Sequence, residues 1–132
     1  MQTQIYLQQT ILKLFIAINL KLSKPLRDTL SELIVCLVEN NKAHISKMGE
    51  TISINGTSVM ASIQRIRRFL SNERISPIIM IVPLIHLLRP ILENLPEIIL
   101  TMDRTDWKKR LKYINILSVA VSYKGRAIPL CG

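Results

Sequence analysis

The chain has 132 residues, with 18 Lys and Arg against 9 Asp and Glu, a formal net charge of +9 and a pI near 10.0. That length suits about one ordinary domain, and a hydrophobic content of 48% excludes a disordered basic tail. The surplus of positive charge points to a polyanionic partner, whether DNA, RNA or an anionic membrane surface, without choosing among them.

The first apolar segment, Ile11 to Leu22, is too short to span a bilayer and contains Lys13. No basic side chain lies between Met1 and Gln9, so a secretory signal is not expected. From Leu26 onward, Leu26, Leu30, Leu33, Ile34, Leu37 and Val38 follow the spacing of one helical face. This predicts a helix that starts at Ser23 and Pro25, carries Asp28 in its first turn, and ends near Asn40 and Asn41. A short helical piece, Ala43 to Met48, is expected to stop at Gly49, with Thr51 to Gly56 as a turn or extended link. Thr57 to Leu70 is periodic again: Val59, Ile63, Ile66 and Leu70 form one stripe, Ser58, Gln64, Arg65 and Arg68 the opposite side, and Arg67 flanks the stripe. Helix, short helix, turn and basic amphipathic helix, in that order, are compatible with a small DNA-binding module.

Ile75 to Leu92 is interrupted by Pro77, Pro83, His86, Arg89 and Pro90, which would place proline breaks and polar groups in hydrocarbon if it crossed a bilayer. It reads instead as a buried helical connector, with His86 a packed residue on it. Pro96 closes the helical half. Ile98 to Met102 reads as a buried strand with Asp103 at or just past its end, and Lys108 to Lys112 as a charged link. Ile114 to Tyr123 alternates as a strand, with a slip at Leu117 to Ser118. Lys124 and Gly125 make a turn, and Arg126 to Leu130 returns as a strand that Pro129 confines to an edge or a strand end. The predicted class is α+β: residues 1–75 helical and DNA-binding, 76–96 a helical connector, and 97–132 three opening strands with an unpaired edge and no following helix.

Cys36 and Cys131 are far apart and have no metal-ligand spacing around them, so neither a disulfide framework nor a zinc site is expected, and a reducing cytosol is the default. His44 reads as a surface residue, and neither histidine has a Ser or Cys neighbour suited to nucleophilic catalysis. The most distinctive segment is Thr101-Met-Asp-Arg-Thr-Asp-Trp107, which sets Asp103 beside Arg104 and ahead of the basic run Lys108, Lys109, Arg110 and Lys112. Carboxylates are hard ligands for Mg²⁺ or Mn²⁺, but two-metal phosphoryl chemistry needs several of them converging. A single Asp beside an Arg more often forms an ion pair or caps a turn.

Asp103-Arg-Thr-Asp-Trp107, followed by Asn115-Ile-Leu and Tyr123-Lys-Gly-Arg-Ala-Ile-Pro-Leu130, resembles the opening strands of the RNase H-like catalytic domain in DDE transposases of the insertion-sequence-four type. Upstream, Ser62-Ile-Gln-Arg-Ile-Arg-Arg-Phe-Leu70 is similar to the Arg-rich helix that precedes this domain in such transposases. The resemblance spans His44 to Gly132 and rests on two separated motifs in the right order. It implies a protein that binds the terminal inverted repeats of a mobile element, as a homodimer or a mixed dimer with an intact transposase. In full-length form such a protein cuts and transfers DNA strands with Mg²⁺ or Mn²⁺ held by Asp, Asp and Glu. Asp103 matches the first Asp, and so the catalytic and metal-binding position. Arg65, Arg67 and Arg68 would belong to the DNA-binding region, together with Arg104, Lys108, Lys109 and Arg110. Arg104, Thr105 and Trp107 match the surrounding motif, whereas Asp106 stands where the family often has Asn.

No Asp or Glu follows Asp106, so the second Asp and the Glu of the triad have no counterpart here. The expectation is an amino-terminal, truncated transposase that keeps DNA-binding machinery without an assembled active site or a tightly bound metal. Its expected location is cytoplasmic, on the nucleoid when DNA-bound, with no membrane partner. The alternative is a small basic helical DNA- or RNA-binding regulator without catalysis. A third reading, a membrane-surface protein using Ile11 to Leu22 as an interfacial helix, is weakened because the basic residues concentrate between Arg65 and Arg126.

Overall fold

The computed structural model describes residues 2–53, 56–109 and 112–131, with the backbone alone of Trp107 and Lys109. Among these residues five helices precede a three-stranded antiparallel sheet, an α+β arrangement. The chain divides into two compact units, Met1–Ile79 and Met80–Gly132. Among the described residues no helix is long and apolar enough to cross a membrane.

The first unit holds α1 (Gln2–Ala17), α2 (Lys24–Asn40), α3 (Ile45–Ser53) and α4 (Val59–Leu70). Helix α1 turns Ile11 and Phe15 into the core and leaves Tyr6 and Ile16 exposed. Helix α2 is central, touching α1, α3 and α4. It therefore buries more than one stripe: Leu30 and Leu33 are buried as their spacing predicts, and so are Thr29, Ser31, Val35 and Cys36. Leu37 and Val38, on the expected stripe, are exposed near the helix end. Pro25 occupies the first turn, Ser23 is the N-cap without a side-chain capping bond, and Asn41 closes the helix in the left-handed region at φ 51°. Because the helix starts at Lys24, Asp28 lies beyond the first turn.

Gly49 does not end α3. The helix runs on to Ser53, and Gly49 is buried where α3 meets α4. A Cβ built on Gly49 would lie 2.6 Å from Ile63 Cγ1 and 3.4 Å from the Val59 carbonyl. Glycine is there because the two helices approach too closely for any side chain, a tertiary demand that overrides its poor helix propensity. Helix α4 is capped by Ser58, whose hydroxyl accepts from the Ala61 N–H at 3.2 Å. Its buried residues are Ser62, Ile66 and Phe69, while Val59 and Leu70, expected inside, are exposed at the two ends.

Helix α5 (Pro77–Glu93) continues through Pro83 and Pro90, and none of its residues is buried. The expectation of a buried connector thus holds for the helix and fails for the burial, and His86 is exposed rather than packed. An exposed helix can leave the carbonyls freed by each proline to solvent, which lowers the cost of keeping the helix.

The second unit's sheet has the order β1 (Leu100–Lys109), β2 (Lys112–Tyr123), β3 (Arg126–Cys131). Strand β1 pairs with β2 from Leu100↔Val121 to Lys109↔Lys112, so the expected charged link is mostly strand. The segment Ile98 to Met102, expected to be buried, is exposed: Leu100 and Met102 retain 61% and 69% of their accessible surface. Among the described residues of the sheet only Val121 is fully covered. Lys124 and Gly125 form the two-residue turn, both at positive φ (48° and 72°), the geometry that matches the twist of a tight hairpin. The irregularity lies between Val119 and Ala120, where the β2–β3 register shifts, two residues beyond the slip that the alternation suggests. Pro129 sits on edge strand β3 beside that shift, where its missing N–H interrupts least.

Candidate nucleic-acid interface

The helical unit presents a graded set of arginines on α4. Arg65 is anchored: its guanidinium lies 2.9 Å from a Glu32 carboxylate oxygen and donates to the Thr29 hydroxyl at 3.1 Å. Thr29 is buried and donates in turn to the Pro25 carbonyl at 3.0 Å. This clamp fastens α4 to α2, and it neutralises Arg65 with a half-buried partner. Glu32 and Arg65 are far apart in the sequence and follow no short-range spacing, so nothing in the pattern signals the pair.

Arg67 and Arg68 point outward, and among the described residues neither forms an ion pair. Both lie in the last turn of α4, where cations complement the negative end of the helix dipole. With Met60 and Gln64 they make one exposed stripe at helical spacing. Met60 keeps 67% of its surface accessible.

In the sheet unit, Asp103 lies within β1 rather than at its end, opposite Ser118. The Ser118 hydroxyl donates to the Asp103 backbone carbonyl at 3.4 Å. Alternation along the strand puts Thr101, Asp103 and Thr105 on one face and Arg104, Asp106 and Lys108 on the other. Arg104 pairs with Asp106 at 3.3 Å, so among the described residues Arg104 joins the second Asp and not Asp103. Lys108 sits 5.3 Å from the ring centroid of its cross-strand partner Tyr113, and Lys124 lies 5.4 Å from that of Tyr123. The Lys109 side chain and all of Arg110 lie outside the described residues. Asp103 and Asp106 therefore cannot share a cation. Among the described residues no three His, Cys, Asp or Glu side chains gather as metal ligands.

A cavity of about 110 Å³ opens between α1, α2 and α3, lined by Gln4, Gln8, Glu32, Cys36 and Glu39 among others. Burial pushes the Cys36 thiol up to about 11, with the charges of Glu39 and then Glu32 adding to the effect. That makes Cys36 a protonated packing residue rather than a nucleophile.

The geometry thus brings Arg67 and Arg68 together on α4, commits Arg65 to the fold, and leaves Asp103 without a second carboxylate. Comparison of the chain with protein-family models, curated proteins and solved structures found no match.

Proposed function

We propose that this chain binds duplex DNA through α4 and belongs to the DNA-binding part of a transposase of the insertion-sequence-four type, recognising the ends of a mobile element. The observation that carries the DNA reading is the outward pair Arg67 and Arg68 on a capped amphipathic helix whose third arginine is neutralised by Glu32. Two adjacent, unneutralised guanidiniums on a rigid helix suit phosphate oxygens, which accept the paired N–H groups that arginine offers. The transposase reading draws further support from an antiparallel β1-β2-β3 meander that carries Asp103 in its first strand.

Strand transfer needs a divalent cation held by converging carboxylates. The residues of this chain do not fit that group: among the described residues the neighbours of Asp103 on its face are hydroxyl and apolar groups, and Asp106 faces the other way. Cutting is accordingly no part of the activity proposed for these residues. The missing convergence is also what favours the second reading, a small regulator that binds nucleic acid without catalysis.

The test is binding of the purified chain to a labelled DNA duplex at several salt concentrations, with an RNA duplex and anionic vesicles in parallel. A steep fall of DNA affinity with salt, and preference for a duplex ending in an inverted repeat, is the expected result. A folded chain that prefers RNA duplex or vesicles would overturn the proposal.

A further inference from the structure

Resting on the DNA reading above, we propose that Gln64 is the base-reading residue of α4, entering the major groove to select an A·T pair, while Arg67 and Arg68 hold flanking phosphates. Met60, Gln64, Arg67 and Arg68 fall on one exposed line of α4. At the rise of an α-helix that line is about 12 Å long, the span of three to four base pairs along the major groove.

Gln64 is the middle member. Its amide is exposed and, among the described residues, has no hydrogen-bond partner, so it is free to meet a ligand, whereas the buried hydroxyls of Thr29 and Ser31 on α2 are engaged within the fold. A glutamine amide presents one donor and one acceptor side by side, the complement of the adenine N6 amino group and N7 in the major groove. Met60, one turn toward the N-terminus and exposed, would supply the apolar contact for a thymine methyl group on an adjacent pair.

The arginines fit a different task. Arg67 and Arg68 stand at the C-terminal end of the line, where side chains of that length reach the backbone on the groove's rim. Arg65, one residue from Gln64, is held by Glu32 and Thr29 and is committed to the fold rather than to the groove. The same clamp, with Gly49 seated against Ile63, fixes the helix on its support, and base readout requires that rigidity.

The experiment is selection of bound sequences from a randomised DNA duplex library by the full chain, by Gln64→Ala and by Arg67→Ala. The wild-type chain is expected to enrich a motif containing an A·T pair. Gln64→Ala is expected to lose preference at that one pair by about tenfold while keeping its salt dependence, and Gln64→Arg to shift the preference toward G·C. Arg67→Ala is expected to weaken binding to all sequences alike and to reduce the salt slope by about one. Because Gln64 is exposed, its variants should melt like the wild-type chain, and circular dichroism checks this. If the wild-type chain binds duplex DNA with no motif, or Gln64→Ala enriches the same motif, the assignment of Gln64 is overturned and DNA binding stands. If the folded wild-type chain binds no duplex, both are overturned.

Discussion

Gly49 offers the sharpest test of how the helical unit is held together. Replacing glycine by alanine inside an ordinary helix gains about 1 kcal/mol, because alanine loses less backbone freedom on folding. Here the added Cβ would sit 2.6 Å from Ile63 Cγ1, a clash, while the Val59 carbonyl at 3.4 Å is in ordinary contact. Cγ1 is near the root of a β-branched side chain with few alternative rotamers in a helix, so relief requires α3 and α4 to part. Overpacking of this kind costs about 1–3 kcal/mol. Gly49→Ala should therefore range from neutral to a loss of about 2 kcal/mol, against a gain of about 1 kcal/mol were the site open. In an Ile63→Ala background the obstructing atom is gone, and the same substitution should stabilise relative to Ile63→Ala alone. Urea unfolding followed by circular dichroism on the four variants gives the cycle, and the sign change between backgrounds is its signature. An equal gain from Gly49→Ala in both backgrounds would refute close helix approach as the reason for the glycine.

Four further outcomes rest on other contacts of the two units. Arg65→Gln should cost up to about 1 kcal/mol of stability, since the pair with Glu32 is partly exposed, and that coupling should shrink with added salt; a DNA-binding salt slope unchanged by Arg65→Gln but lowered by Arg67→Gln would separate clamp from contact. Ser62→Ala should raise the unfolding midpoint by an amount equivalent to about 1 kcal/mol, because the Ser62 hydroxyl is buried with no partner among the described residues; a clear loss of stability would mean that the hydroxyl is bonded after all. A maleimide at mildly alkaline pH should modify exposed Cys131 long before buried Cys36, read by mass spectrometry. The Cys36 thiol titrates near 11 in the fold against an ordinary 9.0, so the folded state holds the proton more tightly. Its contribution is complete below about pH 9 and is lost as pH rises toward 11, and Cys36→Ala should flatten that alkaline decline.

Helices α2 and α4, strand β2 and the Lys124–Gly125 hairpin were legible because each is dictated by local signals: apolar period, an N-cap serine, alternation, and a glycine that adopts positive φ freely. The extension of α3 past Gly49 was not, because the glycine answers to Ile63 on another helix and not to its own neighbours in sequence. Helix α5 shows a related failure: Pro83 and Pro90 rightly argue against a membrane span, yet they do not prevent a helix in a setting where solvent can satisfy the freed carbonyls. At the candidate interface the basic face of α4 was visible from periodicity, whereas the division of labour among its arginines depends on Glu32, far away in sequence. Asp103 was placed in the right strand but at its end, because the apolar run stops at Met102 while the backbone pairing runs on to Lys109.

That continuation of β1 decides what Asp103 can do. Side chains alternate along a strand, so two carboxylates at an odd separation always face opposite sides, and Asp103 and Asp106 are such a pair. The Asp106 carboxylate is engaged with Arg104 on the face that also carries Lys108 and Tyr113, a face whose charge favours an anionic ligand over a divalent cation. On the opposite face Asp103 is bordered by Thr101 and Thr105 in its own strand and by Ser118 across the ladder, groups that donate or accept single hydrogen bonds and carry no negative charge. A cation bound there would need carboxylates brought from outside β1 and β2 to this one face. The acidic residues nearest in sequence, Glu93 and Glu97, both precede the strand. The two functions that the resemblance implies are therefore physically separable: the DNA contact proposed for α4 would draw only on the helical unit's own clamp and cap, while metal chemistry at Asp103 would require partners converging on a single face of the sheet.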